Sequence, residues 1–216
     1  MRVTSLFCTD LISMQFTMKF LPVVILFLCL GRNASAQVSY KDLPISWSDF
    51  TPTDQIRVNA HGTAAISVHT EYSWESSVKN NKVAYIDFKS KLTVNRKESF
   101  VLRSFMRTAN AERKARLLRH EQGHYLIGLI KHLWLEQAIT EYRFTRNYKE
   151  EIRKICKQVE DRAAKLNSDY DRETEHSLIE DKQLAWEKRL LDTFNELNDN
   201  KAKLPLQFDL KLMVNL

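Results

Sequence analysis

Two hydrophobic periods divide the chain. From Val38 to about Leu102 apolar and polar residues alternate in short runs bounded by turn formers. Ile66, Val68, Thr70 and Tyr72 share one face, and Val83, Tyr85, Ile86, Phe88, Leu92 and Val94 mark the next run. Asn80 and Asn81 between the runs signal a turn. This pattern predicts an antiparallel sheet of three or four strands, with "LPISWSDF" (Leu43 to Phe50) as an N-terminal strand or clamp ending at Pro52. Near Thr108 the period lengthens. From Ala109 to about Phe144, Leu118, Tyr125, Leu129 and Leu133 recur at helical spacing, and Ile127, Ile130 and Trp134 widen the stripe, which predicts a long, mostly buried helix. Residues 146–171 predict a second amphipathic helix with Tyr148, Ile152, Cys156 and Val159 on its apolar side. "DRETEHS" reads as polar and irregular, and residues 180–198 as a third helix. Leu206, Phe208, Leu210 and Leu212 alternate as in a last strand. The expected architecture is α+β: an N-terminal antiparallel sheet packed on a long central helix, closed by further helices.

The first 36 residues carry a different pattern. Met18 and Lys19 begin a basic start, Phe20 to Leu30 run apolar without interruption, and Ala34, Ser35 and Ala36 form an AxA cleavage site before Gln37. The apolar run is too short to span a bilayer. Residues 1–36 are therefore expected to be a signal peptide with an upstream extension before Met18, and residues 37–216 a single exported domain, periplasmic or secreted, with no transmembrane helix. The 216-residue length, 44% hydrophobic content and only four Gly and four Pro suit one folded domain. Cleavage would remove Cys8 and Cys29 and leave Cys156 alone, so no internal disulfide is expected. It would also remove Arg2, Lys19, Arg32 and Asp10, lowering the formal charge from +6 to +4. The remaining basic residues are interspersed with acidic ones along helix faces, so nucleic acid is not an expected partner.

The central helix contains "HEQGH". Residues four apart lie one turn apart on one side of a helix, so His120 and His124 can direct both imidazoles at one ion. Glu121 follows the first histidine closely enough to act as base toward a water at that ion. The pattern is the HExxH of zinc hydrolases, with one Zn2+ as the expected cofactor. Gly123 lies inside the helix at a cost of about 1 kcal/mol relative to Ala, which close approach of a substrate or a neighbouring strand would explain. The third ligand must come from elsewhere. Ile127 and Ile130 exclude the HExxHxxGxxH class. His132, about 12 Å along the axis from His124, is out of reach and reads as a surface histidine. His61 and His69, in the strand region, read as ordinary surface or edge residues. Glu196, in "NELND", and His176, in "YDRETEHS", both remain as third ligands.

"ISWSDF", "LLRHEQGHYLIG" and "YDRETEHS", with Gln183 and Trp186 beyond, resemble a family of exported bacterial proteins of otherwise unknown function, described as zinc-dependent proteases. The resemblance covers most of residues 40–190 and rests on a distal YDxxTxH segment matched by Tyr170, Asp171, Thr174 and His176. Ser177 stands where the family usually has Gly. The resemblance implies a zincin-like domain with His120, His124 and His176 as ligands and Glu121 as base, and it makes "NELND" a charged helix end. A Tyr170 hydroxyl at the open metal position would stabilise an oxyanion, and Asp171 would hold a ligand imidazole; the alternatives are a packing residue and a cap. The expected function is an exported zinc metallopeptidase acting on a peptide or protein substrate. The rival is a noncatalytic zinc-containing envelope protein, against which Glu121 argues, because binding alone has no use for that carboxylate. A sheet edge beside the cleft would offer an extended substrate a ledge by strand addition.

Overall fold

A computed structural model describes residues 40–55, 62–79 and 82–201. The expected signal segment, His61, the Asn80 and Asn81 turn and the expected last strand lie outside the described residues. The central helical prediction holds closely. Helix α2 (Ala111–Glu141) begins where the side chain of Asn110 accepts a hydrogen bond from the Arg113 backbone N–H, with Glu112 in its first turn. Both features satisfy the exposed amides and the positive end of the helix dipole. Leu126, Ile127, Gly128, Leu129 and Ile130 are buried in succession. A helix buried on every side must be covered all round. Helix α3 (Tyr148–Thr174), helix α4 (Glu180–Lys201) and the strands β3 (Val68–Lys79) and β4 (Lys82–Val94) supply that cover.

The sheet differs from expectation. Instead of one antiparallel sheet, β3 and β4 form a separate two-stranded antiparallel ribbon, and β1 (Thr51–Thr53), β2 (Ala64–Ala65) and β5 (Phe100–Leu102) form a small mixed sheet in the order β1-β5-β2. β1 pairs with β5 in parallel and β2 pairs with it antiparallel. These strands are two or three residues long, too short for a period-two signal, and the parallel pair joins segments nearly fifty residues apart. The ribbon lies against α2 so closely that a Cβ on Gly128 would come 2.8 Å from Val68 Cγ1. "ISWSDF" is a clamp built from a 3-10 turn (Trp47–Asp49), not a strand. Asp49 accepts from the Ser46 backbone at 2.9 Å and from Arg96 at 2.8 Å, and the Ile45 carbonyl accepts from Gln122 on α2 at 3.0 Å.

On α3 the expected apolar side is present, with Ile152, Cys156 and Val159 buried and Tyr148 packed against the core. The helix continues through Thr174, so the first half of "DRETEHS" is its last turn rather than irregular chain. His132 also departs from expectation: it is 5% exposed, with Nε2 3.3 Å from Glu136, one turn on, and Nδ1 3.2 Å from Ser90 Oγ on the ribbon. Cys156 is a buried free thiol. The helix α1 (Arg103–Thr108) joins β5 to α2. No helix among the described residues is long and apolar enough to cross a membrane.

Candidate metal centre

Side chains from α2 and the end of α3 meet at the floor of a cleft of about 790 Å³. His120 Nε2 and His124 Nε2 are 3.2 Å apart, and Asp171 Oδ1 lies 3.1 Å from the first and 2.9 Å from the second. Two ligands of one tetrahedral zinc, each bonded at 2.0–2.1 Å, stand about 3.3 Å apart. The three atoms thus form a triangle of the size a single zinc requires.

The outward nitrogens strengthen this fit. His120 Nδ1 faces Gln183 Oε1 at 3.2 Å, and Gln183 Nε2 donates to Tyr170 Oη at 2.7 Å and to Glu187 at 3.2 Å. With both amide hydrogens committed, the Gln183 oxygen accepts, so His120 Nδ1 carries the proton and Nε2 presents a lone pair. His124 repeats the arrangement: Nδ1 meets Asn167 Oδ1 at 2.8 Å, and Asn167 Nδ2 donates to the Ala163 carbonyl at 3.3 Å. Metal-ligating histidines are characteristically held in this way by the nitrogen that does not bind. Three acceptor atoms now face one another, and only a proton or a cation between them relieves the repulsion. Burial opposes the charged imidazole of His124, but its hydrogen bond to Asp171 and that carboxylate's charge outweigh burial and push it up to about 9. Burial likewise works against the Asp171 carboxylate, yet its bonds from His120 and His124 hold it well below the usual range. A divalent cation supplies the same stabilisation to all three atoms at once.

Glu121 is 2% exposed and lines the cleft, and its Oε2 accepts from the Ile66 backbone N–H at 2.8 Å. That bond ties the carboxylate to the segment running on from β2, so β2 and the centre share one wall. His176 stands beside the triangle rather than inside it. Its Nδ1 is 3.5 Å from Asp171 Oδ1, and the side chain is 45% exposed at the cleft mouth. Glu175, His176 and Ser177 adopt φ of 46, 51 and 76°, three successive left-handed residues that turn the chain after α3. The region occupied by Ser177 favours Gly, which accounts for the glycine usual at this position of YDxxTxH.

One expectation is corrected, and the alternative third ligand stands away from the cleft. Tyr170 is fully buried, its hydroxyl donates to the His120 carbonyl at 3.2 Å, and its ring stacks on His120 with centroids 4.6 Å apart. It supports His120 from beneath and does not line the cleft. Glu196 is exposed on α4, about 20 Å along the axis from Gln183, and does not line the cleft. Sequence reasoning gave Asp171 the part of holding a ligand imidazole or of a cap, and missed Asn167. The signal was present, since Asn167, Tyr170, Asp171 and Thr174 follow helical spacing once α3 is extended to Thr174. His69 is the exposed residue expected, paired with Glu98 at 2.8 Å.

Gln183 gives a direct check on this network. Gln183→Leu removes the acceptor for His120 Nδ1 and is expected to weaken zinc binding about 10- to 100-fold, the usual consequence of losing such a partner. Competition titration with a zinc chelator measures it, and unchanged affinity would show that His120 needs no such support.

The family described as "Bacterial protein of unknown function (DUF922)" matches residues 37–177, about two-thirds of the chain, and the protein belongs to that family. The match spans His120, Glu121, His124, Asn167, Tyr170, Asp171 and His176, and excludes α4 with Gln183. No curated protein and no solved structure matches the chain.

Proposed function

We propose that this protein is an exported zinc-dependent peptidase with a zincin-like domain, in which His120, His124 and Asp171 hold the ion and Glu121 is the general base. The observation that carries the reading is the convergence of three ligand atoms at 2.9–3.2 Å, with Glu121 on the same turn of helix. Zinc held there would lower the pKa of water and polarise a carbonyl. Glu121, oriented by the Ile66 N–H, takes the proton of the attacking water and delivers it to the departing amine. His176 flanks Asp171 at the mouth, where an imidazole can meet a substrate oxygen. The segment from Gly62 through β2 to Val68 lines the cleft, and β2, last in the order β1-β5-β2, supports an extended peptide by strand addition. Export is supported by the start of the family match at Gln37, the residue after the expected cleavage site.

The test is hydrolysis of a broad quenched-fluorescent peptide library by the mature chain. Cleavage that stops on chelation and returns with stoichiometric zinc is the expected result. A zinc-loaded chain that cleaves nothing would sink the peptidase reading.

A further inference from the structure

The cleft wall upstream of the metal centre carries charge that the proposed chemistry does not use. Arg113 and Arg116 line it from α2, seven and four residues before His120, hence about 10 and 6 Å along the axis. Arg113 is exposed, and among the described residues its guanidinium meets no carboxylate; it lies 6.0 Å from the centre of the Phe105 ring, also on the cleft wall. Arg116 is 24% exposed and only loosely paired, 3.7 Å from Glu180, because Glu180 gives its other oxygen to Arg119 at 2.6 Å. Arg119 itself is fully engaged, bonding Glu187 as well at 3.1 Å. Of the acidic groups on the cleft, Glu98 is bonded to His69 at 2.8 Å and Ser67 at 2.9 Å, Asp171 and Glu121 belong to the metal centre, and Glu175, exposed at the turn after α3, makes no ion pair with either arginine among the described residues. The arginines therefore form a cationic subsite with an aromatic wall, set to one side of the reacting centre.

Resting on the zinc-peptidase reading, we propose that Arg113 and Arg116 bind a substrate carboxylate, so that the preferred substrate is a peptide with a carboxylate two or three residues from the scissile bond. An extended chain advances about 3.3 Å per residue, which spans 6–10 Å in that number of steps. A guanidinium fork suits a carboxylate, and the partial burial of Arg116 lessens the screening that weakens exposed pairs. The carboxylate belongs either to an Asp or Glu side chain or to a free C-terminus.

Binding can be read without turnover. Zinc-loaded Glu121→Gln protein is titrated with labelled alanine-rich hexapeptides carrying one Glu, one Gln or one Lys at each position, each with a free or an amidated C-terminus. Peptides with a suitably placed carboxylate are expected to bind up to roughly fivefold tighter than their neutral counterparts, less so at high salt. A preference confined to internal Glu identifies the side chain, and one confined to free acids identifies the C-terminus. The preference should disappear in Arg113→Ala/Arg116→Ala, and in the exposed single variant Arg113→Glu it should shift toward Lys peptides. Equal binding of acidic and neutral peptides, a preference that survives both variants, or no binding at all would overturn the proposal. Preference without cleavage by the wild type would fail the peptidase reading while leaving the subsite; cleavage without preference would do the reverse.

Discussion

Replacing Glu121 with Gln is expected to leave zinc in place and lower peptide hydrolysis by about 10²- to 10⁴-fold, the range over which a positioned general base contributes. The change suits the test because little else should respond to it. Gln has nearly the same volume, its amide oxygen can still accept from the Ile66 N–H that now bonds Oε2 at 2.8 Å, and the residue is not one of the three converging ligand atoms. What it loses is the ability to take a proton. Turnover on a cleaved library peptide, measured beside zinc content and thermal midpoint, separates the possibilities. Activity near the wild-type level would remove Glu121 from the chemistry, and loss of zinc together with activity would mean that it holds the ion.

The second large effect is structural. Gly123→Ala should destabilise the protein although Ala favours a helix interior by about 1 kcal/mol. A Cβ at position 123 would lie 2.3 Å from Tyr170 Oη and 2.6 Å from its Cζ, inside any tolerable contact. The ring cannot yield easily: it is fully buried, stacked on His120 and packed on Trp186, with its hydroxyl bonded to the His120 carbonyl and to Gln183. Overpacking of this kind costs about 1–3 kcal/mol, so a fall of several degrees in the thermal midpoint is expected for a domain of this size. Displacing Tyr170 also disturbs Gln183 and therefore His120, so zinc affinity should fall with stability. A midpoint equal to or above that of the wild type would show that α3 can move away from α2 at this point. Gly123 is thus explained by a tyrosine of a neighbouring helix, not by the substrate or strand that the sequence suggested.

How much of this was legible depended on the range of the interactions. The α2 stripe and the HEQGH spacing are local, and both predicted the observed helix and two of the three converging side chains. The apolar side of α3 was equally readable from Tyr148, Ile152, Cys156 and Val159. The division of the sheet was not, because β1, β2 and β5 are too short to show a period and are paired across long stretches of chain. Asp171 was not read as one of the three converging atoms for a different reason. The polar run "DRETEHS" masked the last turn of α3, on which Asn167 and Asp171 stand four residues apart, opposite the two histidines of α2. His132 looked like a surface residue until its partners on the ribbon and one turn along the helix, Ser90 and Glu136, were seen.

The proposed zinc ion at His120, His124 and Asp171 is tested most directly by zinc content per chain. The mature protein, its His120→Ala, Asp171→Ala and His176→Ala variants, dialysed against a weak chelator, would be compared by elemental analysis. One zinc in the wild type, none in His120→Ala, little in Asp171→Ala and most of it retained in His176→Ala is the predicted result. A wild type without zinc, or full zinc in Asp171→Ala with loss in His176→Ala, would contradict it, the latter returning the third position to His176.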